Sequence, residues 1–139
     1  MKQVFISHAP EDRGVLESFQ EVFRQAGLKP RIWEQPPSAG EVGSPAIGLL
    51  QECAGVLTLL SRAALVSEAV RHETAVALRS KPTLVLMSHG VSMDNVASDW
   101  PRGLEQRLVG RFDQRPTEEL RQTLAQRLRA AIGGRRPVF

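Results

Sequence analysis

The 139-residue sequence predicts an α/β domain, a parallel sheet covered by helices on both faces. Three observations carry that reading. Short apolar runs alternate along the chain with segments of helical period. Two of the runs, GVLTLL at 55–60 and TLVLM at 83–87, contain no charge, as strands buried on both faces should. Glycine and proline punctuate the joins between segments.

Val4, Phe5 and Ile6 form the first strand. A helix is predicted over 12–26, where Val15, Leu16, Phe19, Val22, Phe23 and Ala26 recur at helical spacing and Gly27 follows as a stop. Residues 28–33 read as a short second strand. Its Pro30 has no N–H to give a ladder, which places the strand at an edge. Residues 34–45 hold three Pro and two Gly and read as a loop. A short helix over 46–53 leads into the third strand at 55–60.

Ser67 is a suitable N-cap for a helix over 67–79. The fourth strand is 83–87, and 88–103 is mostly loop with room for one helical turn. Residues 106–112 alternate polar and apolar, which suggests a half-exposed fifth strand. The last helix is predicted over 116–132, with Leu120, Leu124 and Leu128 in line and Gly133-Gly134 as its end. One domain, 1–132, is therefore expected, with 133–139 a flexible tail or the start of a linker.

Putting the two uncharged strands in the centre and the strands with Pro30 and near residue 110 at the edges gives the flavodoxin-like order 2-1-3-4-5. In such sheets ligands bind at the carboxyl ends of strands one and three. The loops after Ile6, Trp33 and Leu60 are the ones to inspect.

Composition narrows the class. Apolar residues make up 42% and charged residues 24%, as in ordinary globular domains. No apolar run approaches a membrane span, and Val4-Phe5-Ile6 is too short for a signal-peptide core, so no export and a cytoplasmic location are expected. Cys53 is the only cysteine, which excludes an internal disulfide and fits a reducing compartment. Nine Arg against four acidic residues from Pro101 onward give a basic C-terminal part. They are interleaved with Glu and lack aromatic partners, so no nucleic-acid surface is expected. No His/Cys cluster has metal-ligand spacing, and no G-x-G-x-x-G follows the first strand.

Three segments fall at the selected loops. The first is Val4-Phe5-Ile6-Ser7-His8-Ala9-Pro10-Glu11-Asp12. The second is Ala39-Gly40-Glu41. The third is Leu59-Leu60-Ser61 followed by Ser67-Glu68-Ala69-Val70-Arg71-His72-Glu73. In order and spacing they resemble the opening strand, the loop after the second strand (the BB loop) and the third strand with its S-x-W-x-x-x-E helix of Toll/interleukin-1 receptor (TIR) domains of the bacterial type.

The resemblance implies cleavage of NAD between nicotinamide and ribose, with NAD as substrate and no cofactor, and Glu73 as the essential glutamate. It implies a setting in anti-phage defence. The alternative it allows is a non-catalytic scaffold that self-associates, or joins other TIR domains, through the loop at 34–45. Two departures stand out. Ala69 replaces the usual tryptophan, and Trp33 or Glu34 stands where an aspartate is common.

The residues themselves point the same way. Ala69, Val70, Val76 and Ala77 surround Glu73 at three and four positions, so the carboxylate lies on a mainly apolar stripe. There it is either functional or costly. His72, next in sequence, points about 100° away and is expected outside the pocket.

His8 is either a loop residue or a stacking and polar contact for a ligand ring. Ser7 and Ser61 either cap strand ends or offer hydroxyls to ribose or phosphate. Trp33 either packs in the core or walls the pocket that Ala69 leaves open. Gly40 and Gly43 either belong to a flexible loop or let backbone N–H groups approach phosphate. A phosphorelay receiver shares the fold but needs an aspartate after the third strand, where Leu60 and Ser61 stand.

Overall fold

The computed structural model describes residues 1–33, 44–113 and 115–133. Five strands are present among them: β1 (Lys2–Ser7), β2 (Leu28–Arg31), β3 (Gly55–Leu60), β4 (Thr83–Ser88) and β5 (Leu108–Phe112). All neighbours pair in parallel, in the order β2-β1-β3-β4-β5. This is the flavodoxin-like arrangement expected, with the strand containing Pro30 at one edge and the half-buried β5 at the other.

Seven α-helical segments surround the sheet among the described residues: α1 (Arg13–Glu17), α2 (Gln20–Ala26), α3 (Ser44–Glu52), α4 (Arg62–Leu65), α5 (Glu68–Ser80), α6 (Leu104–Arg107) and α7 (Glu118–Ala131). Because strand side chains alternate, each strand feeds two cores. Val4, Ile6, Leu57, Leu59, Leu84 and Leu86 meet α1, α2 and α7 on one face. On the other face, Phe5 and Val56 pack with Leu50 and Ala77, while Leu60, Val85 and Met87 pack with Ala64, Val70, Trp100 and Leu104.

Gly27 closes α2 in the left-handed conformation, φ 72°. Gly55 has a different reason to be glycine. A Cβ there would lie 2.5 Å from Cγ1 of Ile132, so the residue that ends the last helix packs directly on the start of β3.

Several expected boundaries shift. The helix predicted over 12–26 breaks in two. The Ser18 hydroxyl donates to the carbonyl of Val15, 2.5 Å away, and the N–H groups of Ser18 and Phe19 reach back only three residues. Such side-chain bonds compete with the helical ladder. The second strand ends at Arg31, before Trp33. The third helix starts at Ser44, with Pro45 in the first turn, where its missing N–H costs nothing.

A short helix, α4, follows β3 because the Ser61 hydroxyl accepts from the N–H of Ala64 and nucleates a turn. Residues 104–107 form a helical turn after Gly103, φ 97°, and the fifth strand begins only at Leu108. The expected turn within 88–103 is the 3-10 segment Met93–Asn95.

No helix among the described residues is long and apolar enough to cross a membrane. The core extends to Ile132, which is buried. The tail expected at 133–139 lies, apart from Gly133, outside the described residues. So do residues 34–43 of the loop expected over 34–45.

Candidate active site

The carboxyl ends of β1 and β3 lie side by side, with Ser7 in register with Thr58. α5 crosses above them. Ser67 caps it, accepting from the N–H of Val70 at 3.2 Å. That start sets the helix phase. Val70 drops into the core with Leu60, Ala77 drops into the core with Phe5, and Glu73 falls between the two.

Glu73 is only 7% exposed. Its Oε1 accepts a hydrogen bond of 2.6 Å from the hydroxyl of Ser7. No cation among the described residues pairs with it. Burial pushes its carboxyl up to about 7, and the Ser7 hydroxyl pulls the other way without matching the effect. A glutamate with that environment is neutral or charged according to small changes near neutral pH, which is where acid, base and charge-stabilising groups operate.

His8 follows Ser7 and is half-buried. Its Nδ1 lies 3.1 Å from the carbonyl of Ile6, which can only accept, so Nδ1 carries the hydrogen and Nε2 presents a lone pair. Burial and the Arg13 charge lower its pKa, against the carbonyl and Asp12, so the ring is neutral at physiological pH.

Ser61 is engaged twice. It caps α4 and donates to a carboxylate oxygen of Asp12. That bond ties the loop after β1 to the loop after β3.

Beneath this layer, Thr58 and Thr74 share a hydrogen bond of 3.1 Å, both fully buried. Neither threonine stands out in the sequence as a site residue. The available signal was the single hydroxyl in the otherwise apolar strand GVLTLL, since a buried hydroxyl calls for a partner.

Ala69, one helical turn before Glu73, is half-buried, and His72 is exposed as expected. Trp33 packs against the cluster of Phe5, Leu50 and Cys53. It also lines a groove of about 700 Å³ along β2 with Gln20, Lys29, Pro30, Arg31, Ile32 and Leu49. That groove contains none of Ser7, His8 or Glu73, so the structure joins Ser7 to Glu73 without bringing Trp33 to them by this route. Gly40 and Gly43 lie outside the described residues. No metal-binding group of His, Cys, Asp and Glu occurs among the described residues.

The model of the TIR domain family matches residues 4–124. The chain belongs to the TIR domain family. No curated protein matches it. The match in this TIR domain runs from the first residue of the β1 core to Leu124 of α7, so it includes Ser7, His8, Ser61, Ala69 and Glu73. Within it, the position one turn before the site glutamate is alanine rather than the tryptophan of the S-x-W-x-x-x-E pattern.

Proposed function

We propose that this TIR domain cleaves NAD, releasing nicotinamide and leaving ADP-ribose or a cyclic ADP-ribose. The observation that supports this most is Glu73, a buried carboxyl at the carboxyl end of the sheet without a cationic partner among the described residues. An NAD molecule seated there would bring its own positive charge, the nicotinamide ring, to a carboxylate that lacks one. The bond between C1′ of the ribose and the ring nitrogen breaks with both electrons going to nicotinamide, which departs neutral and needs no acid. The ribosyl centre left behind is cationic, and a fixed carboxylate stabilises it. Water then adds at C1′ and loses a proton to solvent, giving ADP-ribose; where a nucleophilic group of the same molecule adds at C1′ in place of water, the product is a cyclic ADP-ribose. NAD is the substrate and no cofactor takes part.

His8 suits a contact with the substrate's ring or ribose through the free Nε2. We place Ala69 and Gly40 on the substrate's border as well, and the action of the domain in the cytoplasm, in anti-phage defence. Incubating the protein with NAD and identifying the products by mass tests the reading. Nicotinamide with ADP-ribose or a cyclic ADP-ribose, lighter by one water, is the expected result, and unchanged NAD at high protein concentration opposes it.

Ala69 favours a second reading, assembly through the loop at 34–45 without catalysis, because the aromatic side chain of the S-x-W-x-x-x-E pattern is missing one turn before Glu73. The two readings separate on one variant. Ala69→Trp restores an aromatic wall one turn from Glu73, and an aromatic contact is worth roughly 1 kcal/mol. Turnover is therefore expected to be weak in the natural sequence and to rise several-fold in Ala69→Trp. A folded Ala69→Trp protein with lower turnover would mean that another group already walls the site.

A further inference from the structure

Ser7 offers a hydroxyl at the last position of β1, where a ligand contact is the natural expectation. The structure gives it different work. Its side chain has no exposed surface, and its one hydroxyl hydrogen is directed at Oε1 of Glu73, 2.6 Å away. We propose that Ser7 is the positioning residue of this site: its hydroxyl holds Oε1 of Glu73 and thereby fixes the direction of the carboxylate and favours its charged form. The proposal rests on the reading of Glu73 as the charge-stabilising group.

The geometry supports each half. Oε2 of Glu73 has no hydrogen-bond partner among the described residues, so anchoring Oε1 leaves Oε2 as the oxygen available to a ligand. A donor–acceptor distance of 2.6 Å is that of a hydroxyl bonded to a charged acceptor. Among the described residues the hydroxyl acts alone in this. Among the described residues, the elements that pack most on α5 are β1, β3, α3 and α4, and Asp99 in the loop before α6 pairs with Arg71 of α5. Their titratable and charged groups are Lys2, Glu52 and Arg62, with His8 and Cys53 at their ends. α5 adds Glu68, Arg71, His72 and Arg79. None of these moves the Glu73 carboxyl, which responds to burial and to Ser7.

The bond also explains why a buried hydroxyl belongs at the end of β1. α5 is held to the strand ends by packing on both sides of Glu73, and Ser7 supplies the polar contact at the seam.

The test is a carbon-13 NMR titration of the Glu73 carboxyl, run beside nicotinamide release from NAD over the same pH range. The Glu73 signal is assigned by its disappearance in Glu73→Gln. The natural protein should titrate at about 7. Ser7→Ala should raise that midpoint by about one pH unit, the equivalent of one hydrogen bond to a charged group. Its release of nicotinamide should fall about tenfold or more near pH 6.5 and clearly less at pH 9, where the carboxyl is charged without help and only its direction is lost. Ser7→Cys keeps the shape with a weaker donor and should fall between; it gives the same reading should the alanine protein fail to fold.

An unchanged Glu73 midpoint in Ser7→Ala overturns the proposal. So does a loss of release that is equal at every pH, which would mark a purely structural role. If the midpoint moves as expected while no protein releases nicotinamide, the NAD reading fails and the hold of Ser7 on Glu73 stands.

Discussion

Glu73→Gln is expected to lower nicotinamide release by a factor of about 10²–10³, the usual cost of removing one electrostatic stabiliser from a dry site. The substitution keeps the size of the side chain and an oxygen that can accept from Ser7, whose hydroxyl is 2.6 Å from Oε1. It removes only the charge. The packing of Val70 and Ala77 on either side of position 73 gives no reason for α5 to shift. The variant should therefore fold, bind NAD somewhat more weakly for want of the charge facing the nicotinamide ring, and fail at the chemical step. Steady-state release with a parallel thermal melt checks this. Release that survives at the natural rate in a folded Glu73→Gln protein would mean that another group stabilises the ribosyl centre.

The second large effect concerns stability and needs no substrate. In the unfolded chain the Glu73 carboxyl titrates near 4.5, and in the folded protein at about 7. Between those values the folded protein keeps a proton that the unfolded chain has released. Stability contributed by the neutral carboxyl is thus fully present below about pH 4.5 and is lost as pH rises through about 7. Each unit of the gap corresponds to about 1.4 kcal/mol, so the loss approaches roughly 3 kcal/mol by pH 8.

Glu73→Gln cannot lose a proton and should be spared this loss. Its advantage over the natural protein should be small at pH 5 and near the full amount at pH 8. Urea unfolding of both proteins at the two pH values measures it. Other groups, including His8 with its shift in the opposite direction, cancel in the difference between the two proteins. Parallel stability curves would show that burial does not strain the Glu73 charge.

Much of this was legible in the sequence. Strand order followed from two uncharged runs, 55–60 and 83–87, and from Pro30, because each is a statement about which strands can be covered. Glu73 was legible because its neighbours at three and four positions are apolar. The partner of Glu73 was not. That Ser7 meets it depends on the phase of α5 over β1, which the Ser67 cap sets and which no local pattern records. Ser61 reads equally as a ligand contact or a cap until Asp12 and the N–H of Ala64 are placed on it.

Two boundaries failed for local reasons. Apolar spacing over 12–26 is continuous, but a single hydroxyl at Ser18 diverts the ladder. The alternation from Gln106 looks like strand, but Gly103 in the left-handed region starts a helical turn that runs to Arg107. Periodicity reports which side of an element is buried and is blind to such side-chain and backbone detail.

The central claim is that the charged form of Glu73 drives nicotinamide release, and the pH dependence of kcat/KM tests it most directly. Release from NAD should be followed from pH 5 to pH 9. The account predicts a rise with pH, a midpoint close to about 7 and a plateau above it, since kcat/KM reports the free protein and its carboxyl must lose a proton to act. Release that is flat across this range, or that falls as Glu73 ionises, would contradict it.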